Sequence, residues 1–142
     1  MQSFAYRLIK KIADKKAVNA LIPILKEEDD AARFYAAKAL GGIGSPHAVK
    51  ALADALNDSD FSVRYMAVKS LINIGDEPAV DVLMDTLKND DAKMREIAAD
   101  ALGDLKNQQA VPALMCAEND NCEAVRKAAQ NSLEKLKTLE MN

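Results

Sequence analysis

The stretch AVKALADALNDSDFSVRYMAVKSLINIGDEP, residues 48–78, decides the fold. Val49, Leu52 and Leu56 recur at helical spacing, and after the polar loop Asn57–Asp60 so do Val63, Ala67, Leu71 and Ile74. Two amphipathic helices around so short a loop make a helical hairpin. Asp60 stands at the N-cap of the second helix, where its carboxylate can accept the free N–H groups of the first turn. Gly75 stands where a left-handed residue ends it.

The same sentence recurs at a fixed period, starting at Ala17, Ala48, Ala79 and Ala110. AVNALIPILKEEDDAARFYAAKALGGIGSPH (17–47), AVDVLMDTLKNDDAKMREIAADALGDLKNQQ (79–109) and the segment starting AVPALMCAENDNCEAVRKAAQNSLEKLK at 110 align with it without a gap. The columns of Ala17, Val18, Leu21, Arg33, Ala36 and Leu40 are identical in all four copies. Shifted by one period, Ala5, Ile9 and Ile12 fall under Ala36, Leu40 and Ile43, so the chain opens with half a repeat. Stacked helical repeats of this length form a solenoid. The expected architecture is therefore all-α, an α-α superhelix in one domain over 1–142. It has an N-terminal capping helix (1–16) and four 31-residue hairpins (17–47, 48–78, 79–109, 110–142), about nine helices in all. The leading helix should cover the first hairpin and carry Arg7, Lys10 and Lys11 outward. Pro23, inside a first helix, should bend it. The last repeat replaces the terminal Gly by Lys137, as repeat 3 does by Lys106, and ends in a polar tail.

Composition narrows the function. Hydrophobic residues are 49% of 142, yet aromatic ones are only 4% and Trp is absent, so the core is built from Ala, Leu, Ile and Val. The net charge of −3 argues against a general nucleic-acid binder. Residues 1–71 hold 11 Lys or Arg and 8 Asp or Glu, whereas 72–142 hold 8 and 14, so the halves carry +3 and −6. No apolar run suits a membrane span, and the basic N-terminus lacks a signal-peptide core, which makes a cytoplasmic location the expectation. Cys116 and Cys122 read as free thiols. His47, in a turn, has no fellow ligands, and Glu27, Glu28, Asp29 and Asp30 read as a solvated loop without the spacing of a calcium loop. No nucleophile elbow, phosphate loop or dinucleotide fingerprint occurs, so neither a catalytic residue, a metal nor a cofactor is expected.

The units Asp60-Phe61-Ser62-Val63-Arg64 and Ala36-Ala37-Lys38-Ala39-Leu40-Gly41-Gly42-Ile43-Gly44 resemble the short HEAT-like repeats of the phycobilin-lyase type over nearly the whole chain. That resemblance implies a right-handed superhelix, first helices convex and second helices concave, that holds another macromolecule. It also implies enzymatic relatives. Bilin lyases attach tetrapyrroles, and the HEAT-like deoxyhypusine hydroxylases bind two irons through repeated His-Glu pairs. Here the only histidine, His47, is followed by Ala48, so such pairs cannot be assembled. A HEAT-like DNA glycosylase would need a cationic, stacking cleft that an acidic chain without Trp does not offer.

Arg33, Arg64, Arg95 and Arg126 form a column, each four residues after Asp29, Asp60, Asp91 and, as the departure, Cys122. A charge among apolar positions needs a partner. Such an Arg can reach its own Asp, a neighbour's Asp or the loop carbonyls, so the column reads as a structural ladder fixing register, with Arg126 freer than the rest. Functional interest moves to the exposed side of the second helices. There Phe34, Tyr35 and Lys38 are followed by Tyr65, Met66 and Lys69, and then by Glu96 and Asp100. This surface, aromatic and basic and then acidic, is the candidate binding face for a protein partner. The expected function is a non-catalytic protein-interaction scaffold. The alternative is a bilin-lyase-like or other small-molecule-modifying subunit. Salt-sensitive self-association of the +3 half with the −6 half of another copy stands beside a monomer.

Overall fold

A computed structural model describes residues 3–89 and 91–140. Met1 and Gln2 of the expected cap, Asp90 in the loop of repeat 3, and Met141 and Asn142 of repeat 4 lie outside the described residues. Among those residues the chain is all-α, with no strand. It forms two compact units, Met1–Ile74 and Gly75–Asn142.

The first unit holds α1 (Phe4–Leu21), a 3-10 turn (Ile22–Lys26), α2 (Asp30–Ile43), a second 3-10 turn (Pro46–Ala48), α3 (Val49–Ala55) and α4 (Phe61–Ile74). The second holds α5 (Glu77–Thr86), α6 (Ala92–Leu105), a 3-10 turn (Gln108–Ala110), α7 (Val111–Ala117) and α8 (Glu123–Glu140). In each unit the first helices pack on the second helices of their hairpins, α3 on α4, α5 on α6 and α7 on α8. Consecutive second helices also pack together, α2 on α4 and α6 on α8. This is an α-α solenoid of helical hairpins. The repeated columns form its core, for Leu40, Leu71 and Leu102 are fully buried, as are Leu52, Leu83 and Leu114. Each such side chain contributes about 1.5–3 kcal/mol.

The described helices number eight rather than nine, because α1 runs straight through the boundary expected at residue 16. The physical reason lies in the column that ends α2, α4 and α6. Gly44 and Gly75 adopt left-handed backbone there, with φ of 72° and 63°. The corresponding residue one repeat upstream is Ala13, followed by Asp14-Lys15-Lys16, and none of these stops a helix. The leading segment meets the first hairpin only at its end, where Arg7, Lys10 and Lys11 line an open cleft with residues 43–47 instead of pointing outward, and residues 3–13 all stay exposed. Pro23 acts where expected. The α-helix gives way to 3-10 geometry at Ile22, one residue before the missing N–H.

Close approach of the second helices depends on one pair of small residues in each unit. Ser70 Oγ donates to the Ala37 carbonyl at 2.6 Å, and Ser132 Oγ donates to the Ala99 carbonyl at 2.6 Å. Both serines press against a glycine. A Cβ on Gly41 would lie 2.7 Å from Ser70 Cβ and 2.8 Å from Ser70 Cα, and one on Gly103 would meet Ser132 at 2.7 and 2.9 Å. Hydroxyl satisfaction and backbone proximity thus come from one contact.

Lys106 occupies the same terminal column as Gly44 and Gly75 and adopts φ 57°, the one positive φ outside glycine among the described residues. A side chain in that conformation costs about 1 kcal/mol. Lys106→Gly is therefore expected to raise the melting temperature by about 2–4 °C, as followed by circular dichroism.

Candidate binding surface

The arginine column sorts itself into two kinds of contact. Arg33 Nη1 donates to the Glu27 and Glu28 carbonyls at 2.8 and 2.9 Å, and Arg64 Nη1 to the Asp58 carbonyl at 2.6 Å. Arg95 Nη1 donates to the Asn89 carbonyl and Arg126 Nη1 to the Asp120 carbonyl, both at 2.8 Å. Each arginine therefore ties down the loop that precedes its own helix. This follows from helix geometry, because side chains lean toward the N-terminus of their helix.

The second contact is an ion pair that reaches into the loop of the next hairpin. Arg33 Nε and Nη2 donate to the Asp58 carboxylate at 2.8 and 3.1 Å, and Arg95 Nε and Nη2 to that of Asp120 at 2.8 and 3.1 Å. Both are two-pronged pairs with little solvent access. Asp29, Asp60 and Asp91 do a different job. Asp29 accepts from Ala31 N at 3.0 Å, Asp60 from Ser62 N at 2.7 Å, and Asp91 from Lys93 N at 2.9 Å, so all three cap their helices. Spacing from the arginine alone points to the capping aspartates. The pairing partner instead stands two residues before the cap, one hairpin further on.

Cys122 replaces the capping aspartate of the last repeat, and its N–H is held by Asp120 Oδ1 at 2.9 Å. Arg126 keeps its loop carbonyl. Arg64 Nε is buried without a hydrogen-bond partner among the described residues, and the Arg64 guanidinium lies 5.5 Å from the Phe61 ring centre.

On the exposed side of the second helices the first unit presents a strip of aromatic and cationic groups. Tyr35 is 64% exposed and forms an edge-to-face pair with half-buried Phe34, ring centres 5.2 Å apart. Along α4, Phe61 and Tyr65 stack at 6.3 Å, and Lys69 Nζ lies 5.5 Å above the Tyr65 ring. Lys38 is exposed and Met66 half-buried. Phe61 joins this strip although its column, which carries Asp30, Ala92 and Glu123, gives no hint of it. Its spacing of four from Tyr65 along the helix was the available signal.

The second unit presents acids instead. Glu96 is half-buried and receives Lys93 Nζ at 3.1 Å, while Asp104 receives Lys135 Nζ at 3.0 Å. Burial, with help from the negative charges of Glu96 and Asp104, pushes the Asp100 carboxyl above the usual carboxylate range. No group of three or more His, Cys, Asp or Glu among the described residues is arranged to hold a metal ion. No described helix is long and apolar enough to cross a membrane.

Repeat architecture and column chemistry together define a HEAT-type helical repeat protein. The family model for HEAT repeats matches residues 1–62, 18–97 and 86–140, and the chain belongs to that family. No curated protein matches the sequence significantly. Among solved structures, human deoxyhypusine hydroxylase is similar with a TM-score of 0.85 at 23% identity, over 92% of this chain and 47% of the hydroxylase. The complex of CpcE and CpcF of phycocyanin lyase from Nostoc is similar at 0.56 and 22% identity, over 85% of this chain and 65% of that one. A designed armadillo repeat protein in complex with the peptide (KR)4 is similar at 0.59 and 22% identity, over 90% and 67%. The chain thus spans about half the length of the hydroxylase. These likenesses establish a fold that elsewhere occurs in an enzyme, in a lyase complex and around a bound peptide.

Proposed function

We propose that the chain is a non-catalytic protein-binding scaffold whose recognition surface is the exposed side of its second helices, the side expected to be concave. The observation that carries this reading is the exposed strip Phe61–Tyr65–Lys69 on α4, with Tyr35 and Lys38 on α2. Stacked aromatic rings are already ordered, so binding them costs little side-chain entropy, and a lysine over a ring can turn to meet a carboxylate. Such a strip suits a peptide segment with apolar side chains next to acids. On α6, Glu96 and Asp100 offer the opposite polarity and suit basic side chains of the same or another segment.

The double substitution Tyr35→Ala/Tyr65→Ala tests this. Tyr35 is mostly exposed and Tyr65 more than a third exposed, so the melting temperature should fall by no more than about 4 °C. The variant is expected to lose at least one protein that the wild-type chain captures from its source lysate. Capture of an identical set by both forms would overturn the assignment of the surface. Co-purification of an absorbing small molecule without any protein would favour a small-molecule-modifying subunit.

A further inference from the structure

The N-terminal half of α1 carries a face that no described residue covers. Phe4, Leu8, Ile9 and Ile12 are 73, 47, 66 and 51% exposed, although Ile9 stands in the column where Leu40, Leu71 and Leu102 are fully buried and Leu133 is half-buried. On the 100° helical wheel these four residues and Ala5 occupy one continuous arc. Arg7 and Lys10 lie on the opposite side and Lys11 beside Phe4, whereas Lys15 and Lys16, one turn further on, fall within the same arc and are exposed. Between Phe4 and Lys16 the helix bears five cations against the single acid Asp14, which Lys10 engages at 3.0 Å. An apolar face of this size on a basic helix marks an interaction site.

The chain also contains surfaces of the complementary shape. Successive first helices leave a groove between them, once in each unit. In the first unit the groove has a volume of about 430 Å³ and carries Lys26 and Lys50 against Asp54, with Asp58 already held by Arg33. That charge repels a basic helix. In the second unit the groove has a volume of about 320 Å³, is floored by Met84, Leu87, Pro112, Ala113, Cys116 and Ala117, and carries Lys88, with Asp120 already held by Arg95. Asp81 and Asp85, both exposed, share the helical face of Met84 on α5 and so stand along its rim, two acids against the one cation Lys88.

We propose that the apolar face of α1 docks into the α5–α7 groove of a second copy of this chain. Charge chooses between the two grooves. The helix carries most of the excess of cations in the +3 half, and the receiving groove belongs to the −6 half. Burial of Ile9 and Ile12 supplies affinity, while Lys15 and Lys16, on the docking side of the helix, meet Asp81 and Asp85, set direction and make the association depend on salt.

Light scattering on the full chain tests the proposal. A mass above one chain is expected at low salt, falling to one chain at high salt. Ile9→Asp/Ile12→Asp alters only exposed positions, so helical content and melting temperature should hold, and self-association should weaken at least about tenfold. Asp81→Lys/Asp85→Lys should weaken it comparably, and mixing this chain with a Lys15→Glu/Lys16→Glu chain should restore hetero-association. Cys116 lies in the groove and is exposed, so its alkylation should slow on association relative to half-buried Cys122. A single-chain mass at every concentration overturns the proposal, as does an oligomer that survives Ile9→Asp/Ile12→Asp. An oligomer in which Cys116 stays as reactive as in the monomer overturns the groove assignment. A monomer that binds vesicles of anionic lipid through α1 overturns the proposal in favour of a membrane surface.

Discussion

Gly41→Ala is expected to lower the melting temperature by about 4–8 °C, whereas Gly42→Ala, one residue along the same helix, should raise it slightly. In a helix interior the change to alanine gains about 1 kcal/mol from backbone entropy. At Gly42 that gain stands alone, because a Cβ there meets nothing within 4 Å. At Gly41 the new carbon falls 2.7 Å from Ser70 Cβ and 2.8 Å from Ser70 Cα. A rotamer change can move a hydroxyl but not an α-carbon, so α2 and α4 must separate. Overpacking of this kind costs about 3 kcal/mol at the upper end of its ordinary range, leaving a net loss of about 2 kcal/mol. Gly41→Ala/Ser70→Gly should recover only part of it, since the clash with the α-carbon of residue 70 remains. Thermal melts of the four chains side by side decide the matter, and a Gly41→Ala protein as stable as the wild type would refute the close approach.

The second large effect concerns Arg95→Met, and it depends on pH. Arg95 beside it holds the Asp120 carboxyl below the usual carboxylate range, helped by the Cys122 N–H and by Arg126. A group whose folded pKa is depressed contributes stability at pH values above its unfolded pKa, about 3.9, and loses it as pH falls through the lower folded value. The pair is 13 and 12% exposed, between a surface bridge and a fully buried one, and breaking it costs about 1–3 kcal/mol at neutral pH. Arg95→Met should therefore melt lower than the wild type at pH 7 and lose less on acidification, the two curves converging as the pH falls below the unfolded carboxylate value of about 3.9 and through the lower folded one. Chemical denaturation at a series of pH values measures this. A difference that does not change with pH would sink the electrostatic account.

The hairpins, their caps and the core columns were legible in the sequence because each rests on local spacing. Asp60 and Gly75 act where a helix begins and ends, and Leu52 and Leu71 lie on the faces that periodicity assigns them. The continuity of α1 was legible too, in Ala13 at the glycine column, but the likeness of Ile9 and Ile12 to Leu40 and Ile43 masks the missing stop. The partners of Arg33 and Arg95 were not legible in this way. They lie one hairpin away, and their spacing along the chain has meaning only after two hairpins have packed. Phe61 is invisible in the columns between repeats, because its stacking on Tyr65 runs along one helix. The concentration of aromatic and cationic groups around Tyr35, Tyr65 and Lys69 was visible as composition, and their mutual distances were not.

The glycine notches and the two-pronged ion pairs also set the unit in which this solenoid can be lengthened. Gly41 with Ser70 returns two repeats later as Gly103 with Ser132, and Arg33 with Asp58 returns as Arg95 with Asp120. At the intervening columns stand Ile72, Ala101 and Asn89. The inherited building block is thus a matched couple of hairpins, and an engineer extending the array should splice in two hairpins at a time. A single-hairpin insert would set a glycine notch against a residue never shaped to fill it.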